Sequence, residues 1–297
     1  MTKSTSLDQA AGTLLIQALP YIQKFLGKIV VVKYGGNAIA GASDEFAAST
    51  FAQDIALMHA VGIKPVVVHG GGPQISAMME RLGKKPEFRD GLRVTDAETV
   101  EIASMVLLGN VNPQIVSAIN LHGARAVGVS GQDAGLLRVS QRDPSLGFVG
   151  DIASVDSTIL KSMLLDGAIP VIATIGSDAT GQAFNVNADT AAGAIAESLE
   201  AEKLIYLTDI EGLRLDANDP NSLVRQSSPT NLREMMKNGN VEGGMIPKIE
   251  SCIHALEHGV KRVHILDGRI AHVLLVELFT DAGVGTMIEN SKKGGTH

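Results

Sequence analysis

The sequence predicts an α/β fold built on a mostly parallel sheet with helices on both faces. Two observations carry this. From Lys28 onward, short β-branched runs alternate with a glycine or Asn/Asp turn and then a helical stretch, which is the rhythm of βαβ units. The runs are also nearly continuous in apolar residues, as strands covered on both faces must be. At about 150 residues per domain, 297 residues suit two lobes or one large domain. With no linker-like stretch between halves, two lobes sharing one sheet is the expected architecture. Hydrophobic residues at 45% and 32 glycines exclude wholesale disorder and indicate many tight turns.

The elements follow in order. Ahead of the first strand, Ala11, Leu14, Leu15, Ala18, Ile22, Phe25 and Leu26 recur at spacings of three and four, predicting an amphipathic helix kinked at Pro20. It can pack on the body or on another subunit. Strands are predicted at Ile29 to Lys33, Pro65 to His69, Ala126 to Val129, Pro170 to Ile175, Leu204 to Thr208 and Val263 to Leu266. Between Leu136 and Ile152 polar and glycine residues become denser around an Asp143-Pro144 turn, predicting hairpins or a loop of the kind that borders substrate sites. No apolar run reaches the roughly 18 residues of a bilayer span, and no leader pattern opens the chain. Cys252 is the single cysteine and cannot form an internal disulfide, so a reducing, cytoplasmic compartment is expected.

Composition narrows the partners. A formal charge of -7, from 25 basic and 32 acidic side chains without a Lys/Arg cluster, argues against a nucleic-acid backbone as ligand. Three Tyr, seven Phe and no Trp leave little for base stacking. An acidic protein that handles anions must gather its positive charge locally.

Strand ends followed by glycine turns are where ligands bind in open α/β sheets. In Lys33-Tyr34-Gly35-Gly36-Asn37 a cation leaves a strand just before backbone amides that can turn toward a phosphate, although a lysine capping an exposed strand end reads the same way in isolation. His69-Gly70-Gly71-Gly72-Pro73-Gln74 adds a helix start with Pro in its first turn, where Gly71 and Gly72 admit a close anion and His69 has a structural role. Phe184-Asn185-Val186-Asn187-Ala188-Asp189 opens the small-residue helix Thr190 to Leu199, with more polar groups than one cap needs. Gly243-Gly244-Met245-Ile246-Pro247-Lys248 places a second lysine after a glycine pair, at the start of an amphipathic helix that runs toward His258. Arg93 can act as a two-pronged carboxylate donor or as a solvated surface residue. There is no Walker A pattern, kinase catalytic loop, Gly-x-Ser-x-Gly elbow or complete dinucleotide fingerprint, and no His/Cys spacing resembles a structural zinc site.

In this order the five segments resemble the amino-acid kinase family, from Lys28 to Ile288, and within it the branch that phosphorylates N-acetyl-L-glutamate. The resemblance implies a three-layer α/β/α sandwich with a helical arm at residues 1–27, an acid-binding and dimerisation lobe at 28–180 and a nucleotide lobe at 181–297. It implies ATP with Mg2+ as phosphoryl donor and formation of an acyl phosphate in the second step of arginine biosynthesis. Lys33 and Lys248 would then stabilise the transferring phosphoryl group and Asp189 would orient them. Gly35, Gly36, Gly71 and Gly72 would offer amides, Arg93 and Asn185 would hold the acid, and Thr208, Asp209, Gly244 and Met245 would border ATP. Asn187 matches the motif without a settled role, and the resemblance names no protein ligand for the metal. The N-terminal helix and the segment from His264 to Thr286 resemble the arginine-inhibited branch, which implies a hexamer built as a trimer of dimers. The L-arginine site would be Tyr21, Lys203, His264, Glu277 and Gly283, unless Glu277 is a solvated edge-strand carboxylate. A catalytically silent arginine-sensing subunit, or a relative acting on another small acid, also fits the sequence.

Overall fold

The computed structural model describes residues 2–35, 45–216, 219–239, 241 and 245–290. The chain begins with helix α1 (Thr2–Phe25), strand β1 (Ile29–Tyr34), α2 (Glu45–Ala60), β2 (Lys64–His69) and α3 (Gly72–Arg81). A small hairpin of β3 (Phe88–Arg89) and β4 (Leu92–Arg93) leads to the long helix α4 (Ala97–Asn120). Then come β5 (Ala126–Ser130), β6 (Leu137–Gln141), β7 (Val149–Val155), α5 (Thr158–Leu165), β8 (Ile169–Ala173), β9 (Ile175–Ser177) and β10 (Ala183–Val186). The remainder comprises α6 (Ala188–Ser198), β11 (Lys203–Thr208), β12 (Gln226–Ser227), α7 (Pro229–Lys237), α8 (Met245–Glu257), β13 (Arg262–Asp267), α9 (Val273–Phe279) and β14 (Thr286–Glu289).

Eight strands form the central sheet in the order β12-β14-β13-β11-β1-β2-β8-β5. All neighbours are parallel except β13 and β14. Because successive side chains point to opposite faces, β1 sends Val31 into one hydrophobic layer and Val30 and Val32 into the other. The first layer is completed by Leu160 of α5, Ile195 of α6, Leu232 of α7 and Ile249 of α8. The second is completed by Phe25 of α1, Ile55 of α2, Met79 of α3, Ile102 of α4 and Leu278 of α9. Helix, sheet and helix therefore make the three-layer sandwich. A small closed barrel of β10-β7-β6-β9 sits beside it and contains the Leu136 to Ile152 region as a hairpin of β6 and β7.

Three expectations are corrected. The strand expected at Pro170 to Ile175 is two: it leaves the sheet after Ala173, the Thr174 hydroxyl donates to the His69 carbonyl, and Ile175 starts a strand of the barrel. Apolarity alone cannot register that change of sheet. Among the described residues one helix, α4, is also long and apolar enough to cross a bilayer, and its best window has a mean hydropathy of 1.4. It does not stand out as an apolar run because Ser104, Gly109, Asn110, Asn112 and Gln114 interrupt it, and its Val100, Ile102, Ala103, Val106 and Leu107 are buried in the protein's own core. Finally, Glu277 lies on helix α9 and is not on an edge strand.

Candidate active site

The C-terminal ends of β1, β2 and β11, which are adjacent in the sheet, open onto one cleft of about 600 Å3. β1 and β2 are followed by α2 and α3 in one helical layer, whereas the next helix after β11 is α7 in the other, and this divergence opens the cleft. Lys33 and Gly35 enter it from β1, Gly70, Gly71 and Gly72 from β2, and Thr208 and Asp209 from β11. Arg93 from β4, Asn185 from β10, Asp189 from α6, and Met245 and Lys248 from α8 complete the lining. Gly36 and Gly244, also expected here, lie outside the described residues.

At its centre is a buried lysine-aspartate-lysine arrangement. Lys33 Nζ lies 2.8 Å from Asp189 Oδ1, and Lys248 Nζ donates to Oδ2 at 2.7 Å. Burial alone would raise the Asp189 carboxyl, but the two ammonium groups outweigh it and hold the carboxyl well below the usual carboxylate range. Burial also lowers Lys33, opposed by Asp189 and reinforced by Lys248. The cluster itself has two cations for one anion, and Asp209 of the same cleft adds a further negative charge that acts on Lys33.

Local structure explains the placement of Asp189. Asn187 caps α6, its side-chain oxygen accepting from the amides of Asp189 and Thr190 at 2.9 and 3.1 Å. That oxygen is committed to the cap. Behind the aspartate, the Tyr206 hydroxyl and Ser251 Oγ are hydrogen-bonded to each other (2.8 Å), and each reaches the Asp189 backbone carbonyl, at 3.2 and 2.9 Å. Lys248 Nζ also lies over the Tyr206 ring, 5.1 Å from its centroid. Sequence reasoning missed Tyr206 and Ser251. The available signal was Lys248 and Ser251 at helical spacing of three on one face of α8.

Close packing explains two glycines, against backbone at Gly35 and against a side chain at Gly71. A Cβ on Gly35 would lie 2.8 Å from the Leu207 carbonyl oxygen, and one on Gly71 would lie 2.6 Å from Leu107 Cδ2. Helix α3 starts at Gly72 without a side-chain cap, so its first amides have no partners within the helix and suit an anion. His69 is fully buried beneath the turn, with Nδ1 donating to the Gly70 carbonyl and Nε2 accepting from Asn112. Burial lowers its pKa to about 4, so it is neutral near pH 7 and shapes the loop as a fixed hydrogen-bonding unit.

Arg93 is buried as well. Its NH2 group donates to the Gly72 carbonyl and to Ser76 Oγ, each at 2.8 Å, and its guanidinium lies over the Phe88 ring at 4.7 Å. No ion pair among the described residues engages it. A buried guanidinium without a carboxylate, at the rim of an anion cleft, is prepared for an acid ligand.

The second expected cluster also comes together. Lys203 and His264 both approach Glu277 Oε1, at 3.0 and 2.9 Å, while Glu277 Oε2 accepts from the Val284 amide beside Gly283. Burial opposes ionisation of Glu277, but His264 and Lys203 bring its pKa down to about 2. Burial lowers His264 itself, so Lys203 is the lasting charge partner near neutrality. Tyr21 on α1 hydrogen-bonds Asp281, close to Gly283 in sequence.

The amino acid kinase family model matches residues 28–267. An acetylglutamate kinase of Symbiobacterium thermophilum is 52% identical over 95% of this chain and 98% of its own length. The acetylglutamate kinase of Methanocaldococcus jannaschii is 49% identical over 93% and 95%. Among solved structures, N-acetylglutamate synthase from Neisseria gonorrhoeae, complexed with coenzyme A and N-acetyl-glutamate, aligns with a TM-score of 0.82 at 28% identity. That alignment covers 94% of this chain and 63% of the synthase. Giardia lamblia carbamate kinase bound to AMP-PNP shares the fold, with a TM-score of 0.67 at 20% identity over 89% and 99% of the two chains.

Proposed function

The chain belongs to the amino acid kinase family, and from that premise we propose how its cleft works. The reaction is phosphoryl transfer from ATP to the side-chain carboxylate of N-acetyl-L-glutamate, yielding the acyl phosphate and ADP in arginine biosynthesis. A carboxylate of pKa about 4.3 is already ionised at neutral pH, so the nucleophile needs no general base. The obstacle is repulsion between this anion and the polyphosphate.

The observation that carries the reading is Asp189 gripped by Lys33 from the sheet and by Lys248 from α8. Asp189 holds the two ammonium groups at fixed positions, and their charge stabilises the phosphoryl group as it moves in line between donor and acceptor. Amides at Gly71 and Gly72 receive anionic oxygens on the acid side, where Arg93 and Asn185 hold acetylglutamate. Gly35, Thr208, Asp209 and Met245 border the nucleotide. In this reading residues 28–180 form the acid lobe and 181–297 the nucleotide lobe, joined where β1 pairs with β11. Both oxygens of Asp189 are taken by lysines, which leaves Mg2+ to the ATP phosphates, where it would supply charge neutralisation. The buried Cys252 thiol suits a reducing cytoplasm.

The test is ADP release with acetylglutamate against glutamate, aspartate and carbamate. Acetylglutamate should dominate, and comparable turnover with another acid would reject the assignment of Arg93 and Asn185. Arg93→Lys should raise KM for acetylglutamate roughly 10–100-fold while changing kcat less, since a hydrogen bond to a charged group contributes about 1.5–3 kcal/mol.

L-Arginine is proposed as inhibitor at Glu277, where its guanidinium would join or displace Lys203, with Tyr21, His264 and Gly283 around it. Glu277→Gln should abolish the arginine dose response while turnover without arginine persists. An unchanged response excludes this site. The arm supports hexamer assembly from three dimers, because Leu14, Leu15 and Ile16 of α1 are 65%, 71% and 71% exposed and lack a covering surface in the described chain. Deleting residues 1–20, which spares the buried Phe25, should reduce the mass in light scattering to that of a dimer. Unchanged mass would remove the arm from assembly.

A further inference from the structure

Away from the Lys33 cleft, a second depression of about 740 Å3 opens beside α6 and α8, with β7 along one wall. The two helices lie side by side in register. Near their N-terminal ends Asp189 meets Lys248 at 2.7 Å. At mid-length, Gly193 lies so close to Ser251 that a Cβ there would be 2.6 Å from the serine Oγ. Toward their C-terminal ends, Glu197 Oε2 comes within 3.5 Å of His254 Nδ1.

His258 completes a cluster at that end. Its ring stacks on His254 with centroids 4.0 Å apart and planes at 18°. Its Nδ1 donates to the His254 carbonyl at 2.8 Å, which leaves Nε2 with a free lone pair. One ligand atom each from Glu197, His254 and His258 falls within 4.8 Å of the others. A histidine whose far nitrogen is tied to a backbone carbonyl is already oriented and in the right tautomer for a metal. The negative ends of two helix dipoles also favour a cation here. The sequence showed no zinc-like spacing because one ligand sits on a different helix from the other two.

We propose that Glu197, His254 and His258 form a binding site for a divalent transition-metal ion of the zinc type, which ties α6 to α8. Two imidazoles and one carboxylate suit Zn2+ and disfavour Mg2+, which takes oxygen ligands. The fourth position opens to water from the depression. Glu197 and His254 are partly exposed and have room to close onto the ion. Once bound, it braces the C-terminal ends of the two helices that present Asp189 and Lys248 at their other ends.

The experiment uses untagged full-length protein stripped with a chelator, titrated with Zn2+ against a chromophoric competitor and with Co2+ by visible absorption. One equivalent should bind per chain with millimolar Mg2+ present, giving the absorption of a low-coordinate Co2+ centre. Loss of an outer partner alone costs about 10–100-fold in affinity, so Glu197→Gln and His258→Ala should each weaken binding at least about tenfold. The double variant His254→Ala/His258→Ala should lose the Co2+ spectrum while turning over normally without zinc, which shows that it is folded. Unchanged zinc affinity in the double variant, or absence of a Co2+ spectrum in the wild type, overturns the proposal.

Discussion

Asp189→Asn is expected to cut kcat by at least about 1,000-fold, since losing a single preorganised stabilising donor costs about 10²–10³ and this change releases two. Lys33 and Lys248 both bind its carboxylate, at 2.8 and 2.7 Å, and they are buried. Without the negative charge they repel each other and swing apart. Removing one partner of a buried ionic cluster should also destabilise the fold by about 3–5 kcal/mol. The folded carboxyl lies below the unfolded value of about 3.9. The stability it contributes is therefore complete above about pH 5 and is lost as the pH falls through and below about 4. Denaturant titration of wild type and variant from pH 7 down to acid should show their difference shrinking. A pH-independent difference, or kcat within about tenfold of wild type, would mean that Asp189 does not hold the two lysines in their catalytic positions.

Lys33→Met and Lys248→Met form the second pair. Each should lower kcat by about 10²–10³, the range found for a lost transition-state donor, with smaller changes in KM for acetylglutamate. Each also leaves Asp189 with one lysine, so the cluster becomes neutral and stability suffers less than in Asp189→Asn. The pair should be strongly non-additive, because the same transferring group depends on both. Pre-steady-state measurement of ADP formation separates the chemical step from release. If either variant loses only substrate affinity and keeps the rate of that step, the lysine is a binding group.

The largest sequence signals were local. The glycine turn after β2, the Asn187 cap and the alternating burial of β1 could all be read from neighbouring residues, since backbone conformation and side-chain period are short-range properties. Lys33, Arg93, Asp189 and Lys248 were candidates for the same reason: each sits at a strand end or helix start. The resemblance then joined them in order along the chain. Splitting of the β8–β9 segment at Thr174 was not legible, because the buried Ile175 continues the apolar run of β8 and only the partner strands differ.

What the sequence determined by itself was the layered α/β architecture and the set of charged and glycine residues available at strand ends. The tertiary structure decided which charges face each other. Lys33 and Lys248 are far apart in the chain and meet Asp189 because β1 and β11 are adjacent and α6 packs on α8. The same packing places Tyr206 and Ser251 behind Asp189, Asn112 against His69, and Glu197 beside His254. Such pairings arise from helices and strands remote in sequence being fitted around one core, where a buried charge persists only if a partner reaches it. Periodicity carries no information about which partner that will be.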